Sequence, residues 1–261
     1  MDLGLKNKVV VITGGSSGIG LATVKEFLKE GSKVAFCSID DNIKEVEEEL
    51  KNLGEVMSQR VDVSKSEEVY NFAENVFKKF GSIDCWVNNA GTIGYKKTDE
   101  YSDKEIDFVV GACFKSVIFG SQAAYRYMKN KGGSIINVSS LAARCSSAGR
   151  STLYGPLKSA INNLTNTFAG EYCADNIRVT CIMPGFTMTP LTKNKISKEE
   201  LEKNSNATLL RRMAEPEEIA KPILFLASDA ASYMTATTIE VSGGRSMTLN
   251  PTFAYEKNKS I

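Results

Sequence analysis

The sequence predicts an α/β fold: a doubly wound, mostly parallel seven-stranded sheet with helices on both faces, built by residues 1–261 as a single domain. Three observations predict it. Short apolar, β-branched runs alternate with amphipathic stretches almost to the C-terminus, as strands covered by helices on both faces require. Seven such runs fall in one series with no repeat, low-complexity block or linker between them. The first run ends in a glycine-rich turn, "TGGSSGIG" (13–20), that opens a helical stretch.

Each element follows in order. "KVVVIT" (8–13) supplies the first strand and "GIGLATVKEFLKEG" the first helix, with Gly31 as its C-cap. "KVAFCS" (33–38) is the second strand, followed by a charged helix over 43–53. "VMSQRVDV" (56–63) and a helix over 66–80 come next, then "IDCWVNN" (83–89) and a long helix running to about 130. "GSIINVSS" (133–140), a helix over 153–174, "IRVTCIMP" (177–184), a helix over 216–228 and "TTIEVSGG" (237–244) complete the series. One irregular, polar insertion, 186–212, follows a strand end, where ligands of such sheets bind, and reads as a substrate lid. Its apolar residues Phe186, Met188, Leu191, Ile196 and Leu201 favour an apolar substrate. The C-terminal tail, 246–261, is expected to order only against another subunit.

Composition excludes several function classes. The chain is 42% hydrophobic and 24% charged, with a formal net charge of +1 and scattered lysines, so neither nucleic acid nor an anionic membrane is an expected partner. The N-terminal apolar run is too short for a signal peptide, and no other stretch reads as a membrane span. The six cysteines, Cys37, Cys85, Cys113, Cys145, Cys173 and Cys181, form neither a CxxC pair nor a metal cluster and are expected as free thiols. The expected location is cytoplasmic. There is no histidine, which excludes Ser-His-Asp, Cys-His and HExxH chemistry. Acid–base work falls to carboxylates, Lys, Tyr or Cys.

In the glycine-rich turn, Gly14 permits the tight turn, Gly18 lets the backbone approach a pyrophosphate, and Gly20 lets helix and strand pack closely. The helix N-terminus offers unpaired N–H groups to the anion. A P-loop is excluded because no Gly-Lys-Ser/Thr ending follows. Further along, "YGPLK" sets Tyr154 and Lys158 four residues apart, on one helix face. A phenol titrates near ~10, and a neighbouring ammonium favours its phenolate. Pro156 costs little in a first turn, where N–H groups lack intrahelical acceptors; Ser151 or Thr152 is the expected cap of a helix beginning near Leu153.

With "NNAG" (88–91), "NVSS" (137–140), "YGPLK" (154–158) and "MPG" (183–185) in order after the glycine turn, residues 6–245 resemble the classical short-chain dehydrogenase/reductase family. The resemblance implies a Rossmann-type domain, a nicotinamide cofactor, and hydride exchange between a secondary alcohol or ketone and that cofactor. Tyr154 matches the catalytic tyrosine, Lys158 its partner and Ser140 the serine that holds the substrate oxygen. The loop between Ser140 and Tyr154 is one residue longer than usual, with Ser139 the alternative serine. Implied cofactor-binding residues are Gly14, Ser16, Ser17, Gly18, Ile19, Gly20 and Ser38, then Asp62 and Val63 at the adenine. Asn89, Ala90, Gly91, Tyr154 and Lys158 follow at the ribose and nicotinamide, with Pro184, Gly185, Thr187 and Thr189 at the carboxamide. The family's acid (at Ser38) and arginine (at Ile39 or Ser17) are both missing; Asp40 or Asp41 stands ready for a ribose hydroxyl, favouring NAD over NADP. Implied substrates are hydroxysteroids or bile acids, 3-oxoacyl thioesters, and sugars or polyols. Homodimers or homotetramers, paired through long helices that include "SVIFGSQAAYRYM" (116–128), are also implied. Cys113 stands where the family carries an asparagine that holds a kinked helix and a relay water. A thiol is a weak hydrogen-bonding group. The alternative function is therefore a nucleotide-binding or redox-sensing protein with weakened turnover.

Overall fold

β1 (Val9–Thr13) is buried at every position, the condition of a parallel strand covered on both faces. It pairs with β2 (Lys33–Ser38) on one side and β4 (Cys85–Asn88) on the other, setting Val11 level with Ala35 and Trp86. With β3 (Val56–Arg60), β5 (Gly133–Val138), β6 (Ile177–Pro184) and β7 (Thr237–Val241), the strand order is β3-β2-β1-β4-β5-β6-β7. Every pairing is parallel. The structure, a computed structural model, describes residues 2–94, 96–145, 151–193, 196–245, 247 and 250–257.

The helices are α1 (Gly18–Lys29), α2 (Ile43–Leu50), α3 (Ser66–Phe80), α4 (Asp103–Val110), α5 (Ser116–Met128), α6 (Tyr154–Tyr172), α7 (Pro190–Lys193), α8 (Lys198–Asn206), α9 (Pro216–Ala227) and α10 (Phe253–Lys257). On one face of the sheet Phe27, Ile43 and Ile219, from α1, α2 and α9, share a core with Val10 and Ile12. On the other, Phe72, Ala124 and Phe168, from α3, α5 and α6, pack with Val9, Val11 and Trp86. Alternate residues of β1 thus feed two separate cores, which is the period-two geometry of a strand. At the end of α1, Gly31 N–H bonds the Leu28 carbonyl and Ser32 N–H that of Phe27, the paired closure expected beyond a helix C-cap.

Four expectations change. The long helix after β4 is two helices, α4 and α5, joined through a π-helical turn at Gly111–Lys115; the hydroxyl of Ser116 donates to the Ala112 carbonyl (2.7 Å) beside it. Joined in this way, Asp103–Met128 (26 residues, with an 18-residue window of mean hydropathy 1.3) is long and apolar enough to span a membrane by length and composition, against the expectation of no such stretch. Its Ala123, Ala124 and Met128 lie in the core beneath the sheet. The insertion 186–212 is not irregular: α7 and α8 fold within it, Ser197 Oγ caps α8 by accepting from Glu200 N–H, and Thr187 bridges to Ala214. The tail packs on its own chain, where Tyr255 Oη donates to the Leu209 carbonyl (2.7 Å) and Arg211 lies 5.1 Å from the Tyr255 ring centre.

Candidate active site

The carboxyl ends of the strands open into a cavity of about 660 Å³ at the point where the chain reverses its winding, between β1 and β4. The turn after β1 forms one wall. Gly14 and Gly18 adopt φ of +68° and +55°. A Cβ on Gly20 would lie 1.9 Å from the Gly14 carbonyl oxygen, so only glycine lets the helix start this close to the strand. Asn89 fixes the turn from β4: its Nδ2 donates to the Thr13 and Gly14 carbonyls (2.9 and 3.1 Å). No side chain caps α1 and its first turn holds no acid, while Ser16, Ser17, Gly18, Ile19 and Gly20 all line the cavity. That is a cradle for a phosphate-bearing ligand.

At the end of β2 the Asp40 carboxylate accepts hydrogen bonds from Ser16 Oγ (2.5 Å) and Ser38 Oγ (2.9 Å), and all three residues line the cavity. Asp41 turns away, is 94% exposed and pairs with Arg60. Asp62 and Val63 form the next part of the wall. Burial opposes charge on Asp62, but the Ser64 hydroxyl and N–H and nearby Lys65 outweigh it and hold the carboxyl below its usual range. Ala90, Gly91, Pro184, Gly185, Thr187 and Thr189 line the remainder of this side, so every sequence-predicted site residue reaches the same cavity.

Tyr154 is the first residue of α6 and Lys158 lies one turn on. The Lys158 Nζ sits 5.6 Å from the centre of the Tyr154 ring and donates to the Val138 carbonyl (2.8 Å), leaving two N–H groups for a ligand. Lys158 is 3% exposed. Ser140 follows β5, lines the cavity and accepts from Ala142 N–H. Ser139, the alternative, instead spends its hydroxyl on the Lys158 carbonyl (2.8 Å). A Cβ on Gly155 would stand 2.9 Å from the Ala142 carbonyl oxygen, so glycine there lets the first turn of α6 press against the segment that carries Ser140. The expected cap is not formed: helical bonding starts from Leu153, whose carbonyl accepts from Leu157 N–H, and the Thr152 hydroxyl bonds Thr98 instead. Residues 146–150, which lie in the lengthened loop, fall outside the described residues.

A buried polar chain locks α6 to the sheet. Trp86 Nε1 donates to Asn88 Oδ1, Asn88 Nδ2 to Asn137 Oδ1 and Ser121 Oγ, and Asn137 Nδ2 to Thr165 Oγ1 on α6, at 2.8 to 3.1 Å. A fully satisfied buried network of this kind specifies one arrangement of the helices that carry it.

A family model described as enoyl-(acyl carrier protein) reductase matches residues 14–246. The chain is 39% identical to a 3-oxoacyl-[acyl-carrier-protein] reductase of Chlamydia pneumoniae, over 94% of this chain and 99% of that protein. It belongs to the short-chain dehydrogenase/reductase family. It is also 36% identical to a 3alpha-hydroxysteroid dehydrogenase of Mediterraneibacter gnavus, over 93% of this chain and 98% of that protein. A solved short-chain type dehydrogenase/reductase from Mycobacterium marinum superimposes with a TM-score of 0.88 at 28% identity, covering 94% of this chain and 97% of that one. Membership makes the chain an oxidoreductase of a family that uses NAD(P).

For a short-chain dehydrogenase/reductase the cysteine at position 113 is the main departure, and the structure shows what it does. Cys113 sits in the π-helical turn, fully buried, where its Sγ donates to the Thr92 carbonyl (3.0 Å) and accepts from the Thr92 N–H (3.3 Å). One thiol thus meets both backbone groups, a donor-and-acceptor pairing that an asparagine amide also offers. The position of a Cβ on Gly91 lies 3.6 Å from Lys158 Nζ and 3.7 Å from Cys113 Sγ, so both groups border Gly91. Elsewhere, burial pushes the Cys37 thiol up to about 12 and the Cys181 thiol up to about 11, leaving both unreactive near neutral pH.

Of the insertion's apolar residues, Phe186 and Ile196 line the cavity; Met188 and Leu201 instead face a smaller hollow with Met213, and the Leu191 side chain lies outside the described residues. Ile93, Phe108, Leu141, Cys145 and Arg245 also line the cavity and carry no sequence motif.

Proposed function

We propose that this short-chain dehydrogenase/reductase interconverts a secondary alcohol and a ketone with NAD(H), on a substrate with an apolar body. The observation that carries the reading is the convergence of Tyr154, Lys158 and Ser140 on one cavity with the glycine-rich turn. When bound, the nicotinamide supplies or accepts the hydride. Tyr154 Oη gives a proton to the substrate oxygen in reduction and takes it in oxidation. Lys158, buried beside that ring, gives one N–H to the Val138 carbonyl, and its two remaining N–H groups serve the cofactor ribose. Ser140 Oγ orients the substrate oxygen and stabilises its developing charge. Ile93, Phe108, Leu141, Phe186 and Ile196 supply apolar walls. Two relatives bracket the substrate, one acting on 3-oxoacyl thioesters by its name and one on hydroxysteroids; both substrates have an apolar body. The hydrogen bonds that Cys113 makes to Thr92 favour an intact site over the alternative of a protein with weakened turnover.

NAD is the preferred cofactor on the ground that Asp40, held by Ser16 and Ser38, accepts from ribose hydroxyls and repels a 2′-phosphate. A panel of ketones and alcohols, followed through reduced-nicotinamide absorbance, tests the reading. Turnover with kcat/KM about tenfold or more higher for NAD(H) than NADP(H) is expected, and Asp40→Ser is expected to remove most of that preference. Cofactor binding without turnover of any alcohol or ketone rules out the enzyme; a preference unmoved by Asp40→Ser rules out the role given to this carboxylate.

A further inference from the structure

Among the described residues, five buried serines and threonines line the cavity: Ser16, Ser38, Ser139, Ser151 and Thr187. Four of them donate to a partner. Ser16 and Ser38 give their protons to the Asp40 carboxylate, Ser139 to the Lys158 carbonyl and Thr187 to the Gly185 carbonyl. The Ser151 hydroxyl has no hydrogen-bond partner among the described residues, although the residue is only 7% exposed. It does not cap α6, and the hydroxyl of the next residue, Thr152, pairs with that of Thr98 (2.9 Å). A buried hydroxyl left unpaired costs free energy, and one set in a cavity wall finds its partner in what the cavity takes up.

The chain places Ser151 at the reacting end of the cavity. Thr152 and Leu153 form the turn between it and Tyr154, the first residue of α6. The segment that carries Ser140 presses on that same end of α6, where Ala142 meets Gly155. With no hydrogen bond to break, the Ser151 hydroxyl turns about χ1 toward a ligand at the cost of a rotamer change alone. It can donate or accept there. Ligand cavities orient a substrate by a few polar groups set in apolar walls, and Tyr154 and Ser140 already serve the reacting oxygen. A third hydroxyl at this end therefore serves a different atom. We propose that Ser151 binds a second oxygen of the substrate, near the reacting carbon. This rests on the function proposed above and narrows the substrate class from an apolar ketone to a bifunctional one, an apolar body with a hydroxyl or carbonyl close to the ketone.

The test compares three ketones of matched chain length with the full chain and saturating reduced cofactor. Undecan-6-one has no second oxygen, 7-hydroxyundecan-6-one carries a hydroxyl on the adjacent carbon, and ethyl 3-oxooctanoate carries a carbonyl two carbons away. Where the wider panel gives a better ketone, that ketone and its analogue lacking the second oxygen replace them. Ser151→Ala is expected to lower kcat/KM for an oxygenated ketone about tenfold more than for undecan-6-one. Each loss is taken as a variant-to-wild-type ratio, which cancels the differing electrophilicity of the ketones. The ketone that shows the excess loss locates the second oxygen. Ser151→Cys, which fills the same space with a weak hydrogen-bonding group, should repeat the pattern. The thermal midpoint of Ser151→Ala should hold within about 3 °C or rise, since the substitution breaks no hydrogen bond. The same loss on every ketone, a midpoint lowered by about 8 °C or more, or a cofactor dissociation constant raised about tenfold would assign the hydroxyl to the fold or the cofactor and overturn the proposal. No loss on any ketone also overturns it, as does an enzyme that turns over only ketones without a second oxygen; both results leave the alcohol–ketone reading in place. Absence of turnover on all three ketones, and on the wider panel, removes both readings.

Discussion

Tyr154→Phe is expected to lower kcat by about 10³-fold while the cofactor dissociation constant, read by quenching of protein fluorescence, changes less than about threefold. The substitution removes one oxygen and keeps the ring that Lys158 approaches at 5.6 Å. Among the described residues, α6 is held without that oxygen, by the Asn88–Asn137–Thr165 chain and by the contact of Gly155 with Ala142. The proton that must reach or leave the substrate oxygen then has no tyrosine to carry it, and the chain offers no histidine as a substitute. A variant that keeps more than about a tenth of wild-type kcat would show that another group moves the proton. The Cys113 thiol, buried and bordering Gly91 as Lys158 does, would be the first to examine.

How far the site was legible varies with the distance over which each residue acts. The helix pair Tyr154 and Lys158 and the glycine turn are local patterns, set by the 3.6-residue period and by the geometry of one βα turn, and both line the one cavity. The choice between Asp40 and Asp41 was open, because it depends on Arg60, on the neighbouring strand, drawing Asp41 outward. The kink before α5 is implied by the resemblance at Cys113 and not by periodicity: a π-helical turn adds one residue to the period and needs no proline or glycine pair to announce it. For Cys113 the residue type suggested a weak partner, whereas the outcome was decided by the Thr92 backbone, 21 residues away, presenting donor and acceptor together. Arg245 was missed for the same reason, since its neighbours Asn204 and Phe186 come from the insertion and only the fold brings them to the end of β7. The packing of the tail is likewise long-range, since Tyr255 finds its acceptor 46 residues back in the chain.

Lys158→Met separates function from stability and is expected to do so in opposite directions. The Lys158 side chain is 3% exposed and meets one carbonyl and one aromatic ring, with no carboxylate among its described partners. Burying a charge in such a setting costs several kcal/mol that a single neutral acceptor does not recover. Methionine fills a similar volume with no charge to desolvate and leaves the Val138 carbonyl as the one group that loses a donor. The thermal midpoint should therefore hold within about 3 °C or rise. The kcat should fall about 10²-fold or more, because the Nζ that stands over the Tyr154 ring and holds the cofactor ribose has gone. Cofactor affinity should weaken as well, since two ligand-facing N–H groups go with it. A fall in midpoint of about 8 °C or more, with activity lost in proportion to the unfolded fraction, would make Lys158 a structural residue. The expected result, an inactive protein at least as stable as the parent, identifies a buried charge maintained for chemistry alone.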